Sequence, residues 1–440
     1  MEPFGSKICV KGSTGNMKYR IETERVDLFD VNMMITLCVK LKAEVPFEKL
    51  ETAFYAACAL HEVLSNKVVI EPSGEAFYVE NDSPQNRFEK TSGSLEELVF
   101  LNERKRFRIE EGEYLRGFDT PDGLVFLMHH LGGDGKSLLY FTETFMRCLA
   151  GEHCDPVPFR TLTLEELPGN PKLPLFYRAV TGLWNRKWRS EKRSFSFEDL
   201  DAAYDRFWKE RRTLILKKRY EKAELEELLL RSRKAGVSLT AYLITEWIRD
   251  NDTQGSRDSG ANGGTKPVKG VKTGRNAEPA IGLAADGRMD GNRSMGNQAT
   301  GISIRYRYQR DRSFEENARA VHALMKKSLT DSSRRYFVLR FMGRLEPSLR
   351  DALNLERAGY FHCKTVARVA ESLGYGTRCR DLSITNLTRA DIPLCYGAYE
   401  IEEIIFLPPI VSYAKNVIGI VTAGDVMYVT RHVYEDLTVS

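Results

Sequence analysis

Residues 124–149 restrict the fold of this chain more than any other stretch. LVFLMH (124–129) is an unbroken apolar run that ends in a histidine, and HLGGDGK (130–136) packs three glycines and an aspartate into seven residues. Ser137 to Leu149 then repeats its apolar side chains at the 3.6-residue period of a buried helix. The local order is strand, glycine-rich loop, helix, which commits this part of the chain to mixed α and β structure.

The flanking sequence fits that frame. Met33 to Leu41 reads as a strand, and Pro46 opens a helical pattern through Phe54, Ala57 and Leu60, with proline at an early helix position where its missing N–H costs nothing. Short strands are expected around Val68 and Phe77. Tyr114–Phe118 and Leu124–His129 read as two strands joined across Pro121-Asp122-Gly123. A connector follows. Its stretch from Leu183 to Arg189 (LWNRKWR) is basic and aromatic, which suits a peripheral membrane contact. The simpler expectation is a crossover helix packing its tryptophans between two lobes. A second α/β section begins near Arg212, with a strand at Thr213–Leu216 and helices at Tyr220–Lys234 and Leu239–Arg249, the latter capped by Ser238. Further strands are expected at Ala280–Ala284 and Ala299–Tyr308, and helices at Phe314–Lys327 and Lys364–Leu373. The end is strand-rich: Leu382–Asn386, Tyr399–Phe406, Val417–Val421 and Val426–Arg431, with Ala423-Gly424-Asp425 turning the last hairpin. Residues 250–277 are rich in Gly, Asn, Ser and Lys and nearly free of apolar side chains, so a disordered insertion is expected there.

The chain's 440 residues are too many for one ordinary domain. We divide it into an N-terminal lobe (1–160), a connector (161–210) and a C-terminal lobe (211–440). With 65 basic and 61 acidic residues, charge gives no reason to expect a nucleic-acid partner. Eight scattered cysteines without a CxxC pair read as reduced thiols in a cytoplasmic protein. The N-terminal residues MEPFGSKICVKGSTGN hold no apolar h-region and no window supplies the ~20 apolar residues of a membrane span, so a soluble or at most peripheral protein is expected. His153 beside Cys154 reads as a surface turn, since a structural zinc site wants four ligands at set spacings, and no metal or bound cofactor is expected. His61, His153, His322, His362 and His432 read as ordinary core or surface residues.

The run His129-His130-Leu131-Gly132-Gly133-Asp134-Gly135 matches an HHxxxDG motif. With it the sequence resembles the chloramphenicol acetyltransferase-like superfamily of thioester-dependent acyltransferases, nearest to stand-alone condensation-domain-like, alcohol and wax-ester acyltransferase members. Other segments share the likeness: Ala56–Leu64 with its His-x-x-Leu, Gly287-Arg288-Met289-Asp290 followed by Gly296-Asn297, Ile384-Thr385-Asn386-Leu387, and the closing hairpin from Asn416 to Tyr434. Glu62 stands where a proline is common, and the DFGWG-like element of many condensation domains is absent.

The resemblance implies two acetyltransferase-like α/β lobes in a V with a central channel, in a monomer. It implies acyl transfer from a CoA or phosphopantetheinyl carrier-protein thioester, as co-substrate, to an alcohol or amine acceptor. A free-standing condensation enzyme working on carrier-bound substrates, with an acyl or peptidyl carrier protein as partner, and a non-catalytic binding module of the same fold are the alternatives. In this reading His130 is the general base and His129 is structural. Asp134 turns away from the substrate and pairs with an arginine, Arg288 first and Arg293 second. Gly132, Gly133 and Gly135 allow a tight loop in backbone conformations that other residues resist. Gly135 lets a thioester carbonyl approach backbone N–H groups, and Asn297 lines the cavity. Ser137 caps the following helix and is no nucleophile, since no GxSxG elbow surrounds it.

Overall fold

The computed structural model describes residues 18–257, 278–373 and 381–435, apart from 171, 192, 290, 412, 413 and 415. Two six-stranded sheets, with a small third sheet of Lys18–Arg20, Ala76–Glu80 and Asn66–Ile70, form a mixed α/β structure of two lobes. In the first large sheet the strand Gly123–His129 lies between Met34–Leu41 and Leu115–Thr120, antiparallel to both. Its residues Leu124 to His129 are all buried. A central strand covered on both faces has no use for polar alternation, which is why its sequence is continuously apolar. On one face Phe126 packs against Phe141 and Phe145 of the helix Gly135–Leu149, at ring separations of 5.4 and 5.3 Å. Phe54 of the helix Phe47–Leu60 completes the cluster, 5.8 Å from Phe141. Strand and helix are thus locked to each other, and the loop between them inherits their rigidity.

The second sheet runs Ala299–Arg305, Ala280–Asp286, Leu382–Arg389, Asn416–Ala423, Val426–Tyr434 and Thr213–Tyr220. Gly424 and Asp425 turn its last hairpin, with Ala423 opposite Val426 and Gly424 at φ 54°. The strand Tyr399–Leu407 crosses over instead: it pairs with Met34–Leu41 in the first sheet. Its end stays tied to the second, because the Thr430 hydroxyl donates to the Phe406 carbonyl at 2.6 Å. The segment 211–440 therefore supplies all six strands of the second sheet and also the strands Cys395–Tyr396 and Tyr399–Leu407 of the first.

Within 161–210 the connector folds into two helices, Leu175–Glu191 and Phe197–Lys209, the second opened by a capping box of Ser196 and Asp199. The tryptophans of the first turn inward: Trp188 is buried and donates from Nε1 to Ser348 Oγ at 2.8 Å. The helix expected to stop at Arg249 continues to Arg257, so the first part of the expected insertion is helical. The remainder of it, 258–277, lies outside the described residues. The strand expected to reach Tyr308 ends at Arg305. The helices Leu95–Glu103, Phe337–Gly343 and Pro347–Arg357 lie outside the elements expected from the sequence, although a Ser94–Glu97 capping box opens the first and Pro347 the last.

His61 is sealed in the first lobe, 5.5 Å from the Phe141 ring, and neither ring nitrogen has a partner. Burial pushes its pKa down to about 3. The folded value is depressed below the unfolded one, so the stability linked to this group is full above pH ~6.5 and drains away as pH falls from there. His61→Leu removes an unpaired polar group. Its urea midpoint should be at or above wild type at pH 7, and its advantage should grow by the equivalent of about 2 kcal/mol on going to pH 5. An advantage that does not grow between pH 7 and pH 5 would show that the buried ring carries no such proton linkage.

Candidate active site

The strand Gly123–His129 ends where the motif begins, and the two histidines part company there. His129 stays within the fold. It accepts a hydrogen bond from Leu131 N at Nδ1 (3.1 Å) and meets Phe107 edge-on at 5.9 Å. Burial, aided by the neighbouring His130, Arg106 and Arg116, pushes its pKa down to about 3. His130 hangs its backbone on Met33, whose carbonyl accepts from His130 N at 2.9 Å. Its side chain lines a cavity of about 210 Å³ between the lobes. Nδ1 is buried and makes no hydrogen bond to another residue. Burial lowers the pKa of His130 below its ordinary 6.5, with the Asp134 charge and the ring's own carbonyl pulling partly the other way. The imidazole is neutral near pH 7 and free to accept a proton.

Asp134 is held on every side. It is the N-cap of the helix Gly135–Leu149 and accepts from Ser137 N at 2.9 Å. Arg288 grips it in a two-pronged pair, Nη1 to Oδ2 at 2.9 Å and Nη2 to Oδ1 at 3.0 Å. Gln298 N adds a further bond at 2.9 Å. Burial pushes the carboxyl up, but the Arg288 charge and these donors outweigh it and hold it below the ordinary range. A carboxylate offers about four lone-pair sites, so none is left for a substrate. Arg293 goes elsewhere, to the Glu143 carboxylate and the Asp391 carbonyl. Ser137 is not the cap; its hydroxyl accepts from Arg288 Nη2 at 2.8 Å and donates to the Gly296 carbonyl at 2.9 Å, sewing the motif loop to the second lobe.

The loop glycines serve by size rather than by backbone freedom, since none of Gly132, Gly133 and Gly135 has a positive φ. A Cβ on Gly133 would lie 2.4 Å from Ser137 Cβ. One on Gly135 would meet Leu387 and Phe406 at 2.9–3.0 Å. Gly135 therefore faces packed side chains and is not among the residues lining the cavity, which corrects the expectation that it makes room for a carbonyl. Gly296 does need its conformation: its φ is 136°, and the Arg160 carbonyl occupies the place of a side chain.

Asn297 lines the cavity, with Nδ2 donating to Asp27 Oδ2 at 2.7 Å. Two cavity residues had no motif to mark them, Glu24 and Asp27 in the short 3-10 turn Thr23–Asp27. That turn is pinned by Arg25, which pairs with Asp351 at 2.9 and 2.5 Å in a fully buried contact. Burial raises Glu24 to about 7, and burial together with the Asp30 and Glu24 charges raises Asp27 well above the ordinary range. Burial thus favours the protonated form of both groups over a pair of adjacent charges. Ser383 Oγ also borders it and has no hydrogen-bond partner. Among the described residues no group of three or more His, Cys, Asp or Glu side chains is placed to hold a metal ion, and His153 and Asp155 lie together on the surface.

No family model matches the sequence, and no curated protein matches it significantly. Solved structures do match in fold. The trichothecene 15-O-acetyltransferase from Fusarium sporotrichioides superposes with a TM-score of 0.61 at 10% identity, over 99% of this chain and 96% of that one. The first condensation domain of the CDA synthetase gives 0.56 at 12% identity, over 93% and 87%. The starter condensation domain of rhizomide synthetase, in a mutant form in complex with C8-CoA and Leu-SNAC, gives 0.56 at 9%, over 98% and 91%. The chain thus has the two-lobed fold of condensation domains and of this acetyltransferase.

Proposed function

From that fold and the cavity at His130, we propose that this chain is an acyltransferase that moves an acyl group from a CoA or carrier-protein thioester to an alcohol or amine. The observation that carries the reading is a neutral histidine with one buried nitrogen, set on a rigid loop and opening into a cavity between two lobes. Acceptor O–H or N–H meets Nε2 of His130, which takes the proton as the new bond to the thioester carbon forms. The tetrahedral intermediate then collapses, the C–S bond breaks, and the thiolate recovers the proton from His130. No acyl-enzyme is needed because the thioester is already activated. Ser383 borders the cavity and its hydroxyl has no protein partner, so it is available as a donor to the developing oxyanion if the pocket opens toward it on binding. The volume of about 210 Å³ is below the ~300–1,000 Å³ that enclose a whole drug-sized ligand, so the cavity suits the reacting ends of two substrates whose bodies extend outward.

The test is a thiol-release screen of acyl-CoAs against alcohols and amines. Release that needs both partners supports the proposal; an intact thioester pool across the panel favours the non-catalytic binding module. The fold is shared with condensation domains, and a narrower version of the proposal is a free-standing condensation enzyme acting on carrier-bound substrates. It requires turnover with an acyl-loaded carrier protein and none with the same acyl group on CoA.

The lowered pKa of His130 sets the pH dependence. A base is active when deprotonated, so a depressed value keeps it active below its ordinary titration range. The acidic limb of kcat/KM should have its midpoint below pH 6.5. A midpoint at or above pH 7 would contradict the assignment.

A further inference from the structure

The helix Leu175–Glu191 presents a face that the fold leaves uncovered. Its inner side is well used: Thr181 and Trp188 are buried, and Tyr177 meets the Phe337 ring at 5.0 Å and the Phe341 ring at 6.1 Å. The outer side begins with an apolar stripe. Leu175 is 78% exposed, Phe176 70% and Leu183 52%, with exposed Ala179 and Gly182 between them. The stripe gives way, one turn on, to exposed Arg186 and Lys187, and Arg178 lies on its flank. These three cations form no ion pair among the described residues, whereas Arg189 is spent on Glu346. Scattered exposed apolar residues need no explanation, but a contiguous patch beside unpaired cations does.

The helix that carries the patch packs on one that lines the reactive cavity. Val338, on the helix Phe337–Gly343, is 45% exposed and lines the cavity together with Leu339. The Tyr177–Phe337 contact joins that helix to the exposed one. We propose that this face docks on an anionic lipid bilayer surface, with the apolar stripe entering the headgroup–acyl boundary and Arg178, Arg186 and Lys187 meeting lipid phosphates and carboxylates. Other occupants fit the charge badly. Residues 1–17 carry Lys7 and Lys11 against Glu2, and residues 258–277 carry Lys266, Lys269, Lys272 and Arg275 against Asp258, so both segments share the sign of the face. A two-fold contact with a second copy would bring together two faces of the same sign, doubling the cations in one interface. No helix among the described residues is long and apolar enough to cross a membrane, so the contact is one of lying on the surface. The sequence suggested such a role for the stretch Leu183–Arg189; in the structure its Trp188 is buried, and Leu175 and Phe176 join Leu183 on the exposed side.

The inference stands apart from the proposed chemistry, since binding is read without turnover. The full chain is floated with vesicles of phosphatidylcholine and phosphatidylserine, and with phosphatidylcholine alone. The wild type should float with the anionic vesicles, less with neutral ones, and be released at high salt. Leu175→Ser/Phe176→Ser/Leu183→Ser and Arg186→Glu/Lys187→Glu should each cut binding about tenfold or more, with melting temperatures near wild type because every changed side chain is exposed. Absence of flotation with either vesicle, or equal flotation of both variants and wild type, overturns the proposal. So does a dimer in sedimentation velocity that the triple serine variant abolishes, which would assign the face to a second copy of the chain. Binding to an acidic protein with no binding to anionic vesicles would overturn it equally.

Discussion

Asp134→Ala should destabilise the protein by about 3–5 kcal/mol, the usual cost of removing one partner from a buried ion pair, and should take most of the turnover with it. The cost arises because Arg288 remains behind, with its side chain 3% exposed and its charge answered only by the half-exposed Asp286. The helix Gly135–Leu149 loses its cap and Gln298 N its acceptor in the same step. Removing both charges should be milder than the single losses suggest, so Asp134→Ala/Arg288→Met should recover about 1–3 kcal/mol relative to the sum. The carboxyl is held below the ordinary range. Its contribution is therefore present above the unfolded-state value and lost only as pH falls through the folded one. Urea unfolding of Asp134→Ala, Arg288→Met and the double variant checks the cycle. Lost activity with unchanged stability would mean that Asp134 acts on the reaction itself rather than through the loop.

His130→Ala should do the reverse, lowering kcat by about 10²–10⁴-fold, the range of a positioned general base, with little change in stability. The ring gives up no hydrogen bond to another residue at Nδ1. The backbone bond from His130 N to the Met33 carbonyl survives the substitution. The side chain borders a cavity, so its removal enlarges existing space rather than opening a hole in packed core. The melting temperature of the variant separates this expectation from simple unfolding.

The parts of the fold that could be read in the sequence are those whose signals are local. The strand Gly123–His129 and the helix after it were legible because burial on both faces of the strand and one face of the helix writes a period into the sequence. The hairpin turned by Gly424 and Asp425 was legible because its turn needs a residue at positive φ. Tyr399–Leu407 was readable as a strand but not as a member of the first sheet, since pairing across more than 350 residues of chain leaves no local mark. Helices that bury charged side chains leave no clear period, among them Pro347–Arg357, whose buried Arg350 and Asp351 read as surface residues until Glu22 and Arg25 are brought beside them. The site divides the same way. A motif marked His130 and Asp134, and the family likeness suggested Arg288. Nothing in the order of residues revealed Glu24, Asp27 or Ser383, which reach the cavity only through tertiary packing. The glycines were noticed for a reason the structure replaces: they are small where neighbours are close, rather than twisted where other residues cannot go.

The most direct test of the central claim is thiol release from an acyl-CoA panel by wild type and His130→Ala side by side, each with and without acceptor. The account predicts acceptor-dependent release by the wild type and a loss of about 10²–10⁴-fold in the variant at an unchanged melting temperature. Near wild-type release by folded His130→Ala would contradict it.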